Sequence, residues 1–190
     1  MAKSSATPPA TLPFVSVVCP TWNRSAFLPW LLYMFQYQDY PADRRELIIV
    51  DDSPQSHEAL IATLKEYAEF PENIRYYYQS ERMALGEKRN YTNALAKGEY
   101  ILCMDDDDYY PPDRISYTLQ EMIANRAIFA GCDQLNIWYS HINRIYKTQS
   151  MGPHHALNGT FAYHRSYLEN HRYTDRQCLA EERDFLNGFT

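Results

Sequence analysis

Short apolar runs that stop at polar residues alternate along the chain with longer segments of helical spacing. Residues 14–20 (FVSVVCP), 46–54 (ELIIVDDSP), 74–79 (IRYYYQ) and 99–104 (EYILCM) are typical of buried parallel strands. Apolar residues in the segments between them, 25–38, 57–70 and 86–98, recur at helical spacing. Because strands that alternate with helices pair in parallel and are covered on both faces, the pattern predicts an α/β fold with a Rossmann-like, mostly parallel sheet. Ser25 is the expected N-cap of the first helix, and Gly98 is expected to close the third.

The second half of the chain continues with a helix and several shorter strands. Two prolines precede a helical segment that ends near residue 125, and the last helix is expected over residues 179–189. Strand candidates lie near residues 127–132, 134–140, 144–149 and 157–165. The second and third of these are expected to form a small antiparallel hairpin around residues 141–143. Residues 1–13, rich in Pro, Ser, Thr and Ala, are interpreted as a flexible leader before a single domain at 14–190.

Composition and charge exclude several classes of partner. The chain has 190 residues and a net charge of -6, which argues against nucleic acid as the main partner. Four scattered cysteines, Cys19, Cys103, Cys132 and Cys178, are interpreted as buried free thiols of a reducing compartment, so a cytoplasmic location is expected. No apolar run approaches the roughly 20 residues of a membrane span. Residues 27–35 (FLPWLLYMF) could rest on a membrane surface, although a buried helix face explains them better.

Carboxylates cluster where two of the predicted strands end. Asp51 and Asp52 follow one strand, and four consecutive aspartates, 105–108, follow another. A single acidic turn is more often a solvated loop or a helix cap. Four adjacent carboxylates, however, repel one another unless a cation compensates, and Mg²⁺ or Mn²⁺ prefers oxygen ligands of this kind. Such ions complete their coordination with phosphate oxygens and water, so a diphosphate substrate is expected.

The sequence lacks the motifs of several other classes of site. With only six glycines the chain has neither a GxGxxG turn nor a Walker loop, and it has no GxSxG or HExxH sequence. An EF-hand counted from Asp105 would need glutamate at its twelfth position, where this chain has Ser116. A bound metal is therefore expected to take over much of the diphosphate binding.

Four segments in order, VSVVCPTWNR, LIIVDDSP, GEKRNYTNALAKGEYILCMDDDDYYPPDR and AEERDFL, resemble one enzyme family. They are similar to the nucleotide-sugar-dependent glycosyltransferases of the GT-A fold, especially family 2. The resemblance covers about residues 14–187, and its most specific part is the block at 86–114. It implies a nucleotide-binding half at about 14–110 and an acceptor half at about 111–190.

The resemblance also implies a role for each matching residue. Trp22 would stack on the base, Asp52 would bind uracil and Asp106 would reach the ribose. The full set of implied nucleotide contacts is Pro20, Trp22, Asp51, Asp52, Arg82, Lys88, Arg89, Asp105 and Asp106. Asp107 and Asp105 would hold Mn²⁺ or Mg²⁺. Glu182, with Glu181 as its neighbour, matches the general base of inverting members.

The expected activity is metal-dependent transfer of a hexose from a UDP-sugar to a glycan or other hydroxyl acceptor, with inversion through Glu182. Family members commonly have aspartate where this chain has Glu182, so another role for Glu182 and a retaining outcome stay open. Relatives usually continue beyond this point with a segment that closes over the donor and can supply a histidine to the metal. The chain is therefore interpreted as a trimmed domain of a longer protein.

Two rival functions and several weaker site candidates remain. A sugar-phosphate nucleotidyltransferase would need a glycine-rich GxGTR-like loop after the first strand, where this chain has CPTWNR. A non-catalytic nucleotide- or carbohydrate-binding module of the same fold is the other rival. The weaker candidates are His154 and His155 for metal or acceptor, and Tyr109, Tyr110, Trp138, Tyr163 and His164 for walls that stack on sugars, most of these being expected in the core.

Overall fold

The computed structural model describes residues 12–150, 152, 154–176, 178, 179 and 181–186. Its strands are β1 (Val15–Thr21), β2 (Arg45–Asp51), β3 (Ile74–Tyr78), β4 (Tyr100–Cys103), β5 (Phe129–Ala130), β6 (Asn136–Tyr139), β7 (Arg144–Lys147) and β8 (Ala162–His164). Its helices are α1 (Leu28–Gln36), α2 (Glu58–Lys65), α3 (Leu85–Leu95), α4 (Arg114–Asn125) and α5 (Glu182–Phe185). The α/β prediction, including a mainly parallel sheet flanked by helices, is confirmed.

A six-stranded sheet in the order β3-β2-β1-β4-β8-β5 forms the centre of the molecule. The first four strands in this order are parallel, with Val18 opposite both Ile48 of β2 and Cys103 of β4. The last two strands are antiparallel to their neighbours. Because β1, β2 and β4 lie side by side and point the same way, the loops that follow Thr21, Asp51 and Cys103 meet at one edge.

Apolar side chains cover both faces of the sheet, as the continuous apolar runs predict. Successive strand residues alternate between the faces. Val17 and Ile49 pack on one side with α1 and α4, whereas Val18 and Ile48 pack on the other side with Phe161 and its aromatic neighbours. The sheet is therefore a rigid platform for the loops at its carboxyl edge.

Helix α1 begins three residues later than the expected N-cap. Phe27, not Ser25, occupies the N-cap position, and no side chain caps the helix. Pro29 accounts for the difference, since a residue without an N–H group fits only the first turn of a helix. The assignment of Ser25 as N-cap is wrong.

Helix α3 also ends earlier than expected, at Leu95. Gly98 lies beyond it, where the chain passes so close to β1 that an added Cβ atom would be 2.4 Å from the backbone nitrogen of Ser16. Its N–H donates to Ser16 Oγ at 2.7 Å. Gly98 therefore permits a close backbone approach and does not cap the helix.

The second half follows the predicted order with shorter strands. The hairpin is confirmed: β6 pairs with β7 antiparallel, and Asn143 in its turn has a positive φ of 48°. The strand expected at 157–165 is divided into a short 3-10 helix at Asn158–Thr160 and β8. Within the segment expected to be helical at 179–189, the structure describes α5 as the helix. The predicted flexible leader lies mostly outside the described residues.

The cysteine prediction is confirmed for two residues and wrong for two. Cys19 and Cys103 are buried free thiols in β1 and β4, whereas Cys132 and Cys178 are exposed free thiols because both lie in loops. Within the described ranges, no helix combines the length and hydropathy of a membrane span.

Candidate functional site

A cleft of about 250 Å³ opens at the carboxyl edge of the sheet. It is lined by Pro20, Thr21, Trp22, Arg24, Arg82, Leu85, Lys88, Arg89, Asp105, Asp106, Asp107 and Cys178. The structure therefore brings together most of the side chains that the resemblance marks as nucleotide or metal contacts. Asp51, Asp52, Glu181 and Glu182 lie outside the lining. Ligands of open parallel sheets bind at this edge, beyond the carboxyl ends of the strands.

Asp51 is fully buried below the cleft, and its carboxylate is hydrogen-bonded within the protein. Its carboxylate accepts hydrogen bonds from the Ser53 N–H at 2.9 Å and the Tyr76 hydroxyl at 2.7 Å, and it pairs with His57 Nδ1 at 2.7 Å. Burial acts to raise the pKa of Asp51, but the hydrogen bonds from Ser53, Tyr76 and His57 outweigh it and lower the pKa. These bonds fix the loop that follows β2.

Asp52 joins the end of β2 to the segment before and within α3. Arg82 Nη1 donates to both of its oxygens, at 2.7 and 2.6 Å, and the Met83 N–H donates at 2.8 Å. The buried Lys88 ammonium also donates to Asp52, and to the Thr21 carbonyl at 2.8 Å. Burial lowers the pKa of Lys88, and Asp52 offsets only part of this effect. Asp52 thus sets the positions of two basic side chains.

Trp22 and Arg82 form the flat wall at the mouth of the cleft. The Arg82 guanidinium carbon lies 4.3 Å from the centroid of the Trp22 ring, within the range of a cation–π contact. Trp22 is 43% exposed, and the Arg82 side chain is 54% exposed. Both groups are planar and reach solvent, so a planar ligand can stack here.

Arg89 connects Asp105 to Glu181 beneath the cleft. Its Nη1 and Nη2 lie 3.1 and 3.4 Å from the two Asp105 oxygens, and its Nε donates to Glu181 Oε1 at 2.8 Å. Asn158 completes the group when its amide oxygen faces the guanidinium at 2.6 to 3.0 Å and its nitrogen faces the Tyr173 hydroxyl. Burial acts to lower the pKa of Arg89, but Asp105 and the other surrounding groups outweigh it and raise the pKa. Arg89 is therefore a permanent buried charge that orients Asp105.

The remaining aspartates of the cluster have different surroundings. Asp106 is buried and accepts a hydrogen bond from Thr21 Oγ1 at 2.5 Å, yet burial still raises its pKa. Asp107 is partly exposed and pairs with Arg24. Burial, followed by the neighbouring carboxylates Asp105 and Asp107, raises the pKa of Asp108 to about 6. The cluster therefore carries more negative charge than its surroundings balance.

The donor set fits a hard divalent cation that shares its coordination with a ligand. Asp105 and Asp107 both line the cleft. In the described part of the chain, no group of three or more His, Cys, Asp or Glu side chains is arranged to hold a metal ion by itself. Mg²⁺ and Mn²⁺ bind through one or two carboxylates together with phosphate and water. Asp105 and Asp107 are two such carboxylates, and Asp106 and Asp108 add negative charge that no ion pair within the described residues balances.

The two glutamates near the end of the chain have different environments. Glu181 is buried, and its carboxylate is paired with Arg89. Glu182 is the first residue of α5, is partly exposed, and its carboxylate forms no hydrogen bond or ion pair with another described residue. Glu182 therefore has the freer carboxylate of the two.

Four residues that line the cleft were not predicted from the sequence: Thr21, Arg24, Leu85 and Cys178. Thr21 holds Asp106, Arg24 pairs with Asp107, and Cys178 lines the cleft. Arg24 could have been predicted, since a basic residue two positions after Trp22 must lie in the same loop after β1. Thr21 and Cys178 could not, because their positions depend on how distant loops fold together.

The weaker candidates are dispersed. Tyr110 and Tyr163 are buried, and Tyr110 donates through its hydroxyl to the Gly159 carbonyl at 3.1 Å while accepting from the Asp105 N–H at 2.8 Å. Tyr109 and Trp138 are exposed, and Trp138 lies in the β6–β7 hairpin. His154 and His155 line a separate cavity beside β5, and His164 packs on Tyr100. Tyr110 thus supports the aspartate loop and does not form a wall of the cleft.

Known proteins with similar sequences are glycosyltransferases. Residues 16–179 match the family described as Glycosyl transferase family 2. The chain is 32% identical over 125 residues to WcaA of Escherichia coli (strain K12), a protein whose name assigns it to colanic acid biosynthesis, across 63% of this chain and 42% of the relative. It is 26% identical over 148 residues to an uncharacterized glycosyltransferase of Haemophilus influenzae, across 75% of this chain and 48% of the relative. The chain thus spans less than half the length of these two relatives.

Solved structures share the fold at low sequence identity. TarS of Staphylococcus aureus (residues 1–349), in complex with UDP-GlcNAc, superposes with a TM-score of 0.72 at 19% identity, over 91% of this chain and 52% of that one. The mannosyltransferase PcManGT of Pyrobaculum calidifontis, in complex with GDP-Man and Mn²⁺, superposes with a TM-score of 0.70 at 19% identity, over 90% and 50%. These likenesses confirm the expected GT-A fold. The family matches most of the length of the chain, and the aspartate cluster lies at the carboxyl edge of the sheet. The chain therefore belongs to glycosyl transferase family 2.

Proposed function

We propose that the chain transfers a hexose from a nucleoside diphosphate sugar, with a UDP-sugar as the first candidate, to a hydroxyl group of a glycan or other acceptor. The observation that carries the proposal is the cleft itself, which places the flat Trp22–Arg82 wall beside the carboxylates of Asp105 and Asp107. One end suits a planar base and the other suits a diphosphate with a bound cation. UDP-GlcNAc in a structure of similar fold supports a uridine donor.

In this proposal the nucleotide binds along the cleft with its base against the Trp22 wall. Pro20 and Trp22 contact the base, and Asp106 reaches the ribose. Asp52 is buried under Arg82, so its contact with uracil requires Arg82 to move aside. Asp51 and Lys88 support the site from below, since both are buried and already bonded within the protein. Arg24 and Arg82 are exposed cations that line the cleft and can pair with the negative charge of a nucleotide.

Mn²⁺ or Mg²⁺ would be held by Asp105 and Asp107 and would stabilise the negative charge that develops on the leaving diphosphate. Arg89 keeps the Asp105 carboxylate in place for this purpose. Arg24 pairs with Asp107, and its guanidinium would be available to a phosphate oxygen if Asp107 were a ligand of the cation. The complex of PcManGT with GDP-Man and Mn²⁺ supports a divalent ion in this fold.

Glu182 is the proposed general base of an inverting displacement. The bond between the anomeric carbon and the phosphate oxygen breaks, and its electron pair stays on the diphosphate. The acceptor oxygen forms the new bond to the anomeric carbon while its proton passes to the Glu182 carboxylate. Glu181 is committed to Arg89 and acts as a positioning residue. A free, partly exposed carboxylate suits Glu182 to receive the proton.

Donor hydrolysis tests the proposal without knowledge of the acceptor. UDP-glucose, UDP-GlcNAc and GDP-mannose are incubated with the protein and Mn²⁺, and nucleoside diphosphate release is measured for the wild type and Asp107→Ala. Metal-dependent release that Asp107→Ala abolishes is expected. Binding without release would favour a non-catalytic module. Pyrophosphate release from UTP and a sugar 1-phosphate would favour the nucleotidyltransferase instead.

A further inference from the structure

A second cavity, of about 240 Å³, opens at the edge of the sheet where β2 and β3 begin. Arg45 and Ile74, the first residues of those strands, line it, together with residues from the end of α1 and from the segment after α2. The donor cleft lies where β2 ends. Since β2 has seven residues, the two sites are about 20 Å apart. This cavity is therefore separate from the site described above.

Arg45 lies in the wall of this cavity. It is 4% exposed, and its terminal nitrogens donate to the carbonyls of Gln38 at 2.6 Å, Gln36 at 2.8 Å and Tyr40. Its Nε is buried without a hydrogen-bond partner, and no carboxylate lies within ion-pair distance among the described residues. A buried donor without an acceptor is costly, but Nε is closed to solvent, so a ligand oxygen could reach it only if neighbouring side chains shift.

Aromatic rings surround the opening and extend from it. Tyr37 and Tyr67, which are 62% and 78% exposed, line the cavity. Along α1 the Tyr37 ring lies 4.3 Å from that of Tyr33, which lies 6.2 Å from that of Trp30. Tyr33 and Trp30 are also more than half exposed, because their spacing puts them on the outer face of the helix. The result is one continuous row of solvent-exposed rings that ends in a cavity.

We propose that this cavity and its aromatic row form a glycan-binding site, with one sugar residue in the cavity and its neighbours along α1. Flat rings pack against the apolar C–H faces of sugars. Glu69 and Asn73, which also line the cavity, offer acceptor oxygens to sugar hydroxyls.

The charges of the cavity disfavour the other ligand classes. Burial lowers the pKa of Arg45, and Glu69 and Asp39 lie close enough to offset part of that effect. Of these two carboxylates Glu69 lines the cavity itself, where it would repel a phosphate group or an anionic lipid surface. A wholly apolar ligand would cover the Glu69 carboxylate without offering it a hydrogen bond, whereas the hydroxyl groups of a neutral sugar would donate to it.

Saturation-transfer NMR tests the proposal with glucose, galactose, N-acetylglucosamine and maltotetraose as probes. Signals from at least one probe are expected with the wild type, and the affinity should fall about tenfold in Tyr37→Ala and in Tyr67→Ala, each of which removes one stacked ring. Tyr117→Ala is the matched control, because Tyr117 is 60% exposed on α4 and does not line the cavity. All three positions are exposed, so the variants should fold.

Asp107→Ala separates this inference from the proposed function. Sugar binding should persist in Asp107→Ala, and UDP binding should persist in Tyr67→Ala. Absence of signal with every probe, signals that survive both tyrosine variants, or signals lost in Asp107→Ala would overturn the inference. So would concentration-dependent self-association in sedimentation velocity, or binding to phosphatidylglycerol vesicles, that disappears in Tyr37→Ala while no sugar binds.

Discussion

At the scale of single residues, the acids that line up in the sequence have different tasks in the structure. Asp107 is exposed at the cleft, whereas Asp51 and Asp52 are buried and hydrogen-bonded within the protein. Their position at the end of β2 puts both acids near the cleft, as the sequence indicated. Burial then decides which carboxylate is available to a ligand.

Asp51→Asn should destabilise the fold by about 2 kcal/mol at pH 7, because it leaves buried donors from Ser53 and Tyr76 facing a weaker acceptor. Hydrogen bonds hold the pKa of Asp51 below its ordinary value of 3.8, so its contribution to stability is present above pH 3.8 and is lost as the pH falls through the folded-state pKa. The difference from wild type in urea unfolding should therefore narrow below pH 3.8. Asp43→Asn, an exposed control, should change little. A difference that is constant with pH would contradict this role.

Residue pairings were the part of the site that the sequence could not reveal. Strand ends predict which residues approach the cleft, since neighbouring parallel strands end at one edge. The bonds from Arg24 to Asp107 and from Arg89 to Glu181 join residues 83 and 92 positions apart. Such pairs depend on the paths of whole loops, which hydrophobic periodicity does not encode.

At the scale of secondary-structure elements, hydrophobic patterning predicted the order of strands and helices, but local residues set their ends. Pro29 delays the start of α1, and the close approach of Gly98 to β1 follows an early end of α3. A glycine near a helix end looks the same in the sequence whether it caps the helix or allows a neighbouring strand to approach closely. Only its packing against β1 distinguishes the two roles, and this tertiary contact cannot be predicted from the local sequence.

Gly98→Ala should destabilise the protein by about 1 to 3 kcal/mol, since the new Cβ atom would meet the backbone of Ser16 and Val15. The neighbouring exposed Lys97→Ala is the control and should cost less than about 0.5 kcal/mol. Urea unfolding followed by circular dichroism measures both. Equal stabilities for the two variants would show that the close contact is absent.

At the scale of the whole molecule, buried and exposed thiols report on the sheet and the cleft together. Cys19 and Cys103 lie in the central strands, and Cys178 lines the cleft at the carboxyl edge of the sheet. The sequence placed the first two correctly because their runs are strand-like. It placed Cys132 and Cys178 incorrectly, since a loop can be covered or open with the same local sequence.

Two of the four thiols should react quickly with Ellman's reagent in the folded protein, and all four should react after denaturation. Burial raises the pKa of Cys19 and Cys103, the latter to about 11, and also blocks access. Cys132→Ser and Cys178→Ser should each remove one fast thiol. UDP with Mn²⁺ should slow Cys178 and leave Cys132 unchanged. Fast reaction of a third thiol would contradict the packing of the sheet.

The most direct test of the donor site is calorimetric titration of UDP with Mn²⁺ and with EDTA. The account predicts that UDP binds in Mn²⁺, that EDTA abolishes binding, and that Asp107→Ala weakens it at least about tenfold. Asp43→Ala, which changes an exposed aspartate outside the lining of the cleft, should bind like the wild type. UDP binding of equal affinity in EDTA, or in folded Asp107→Ala, would show that these aspartates do not hold a cation against a diphosphate.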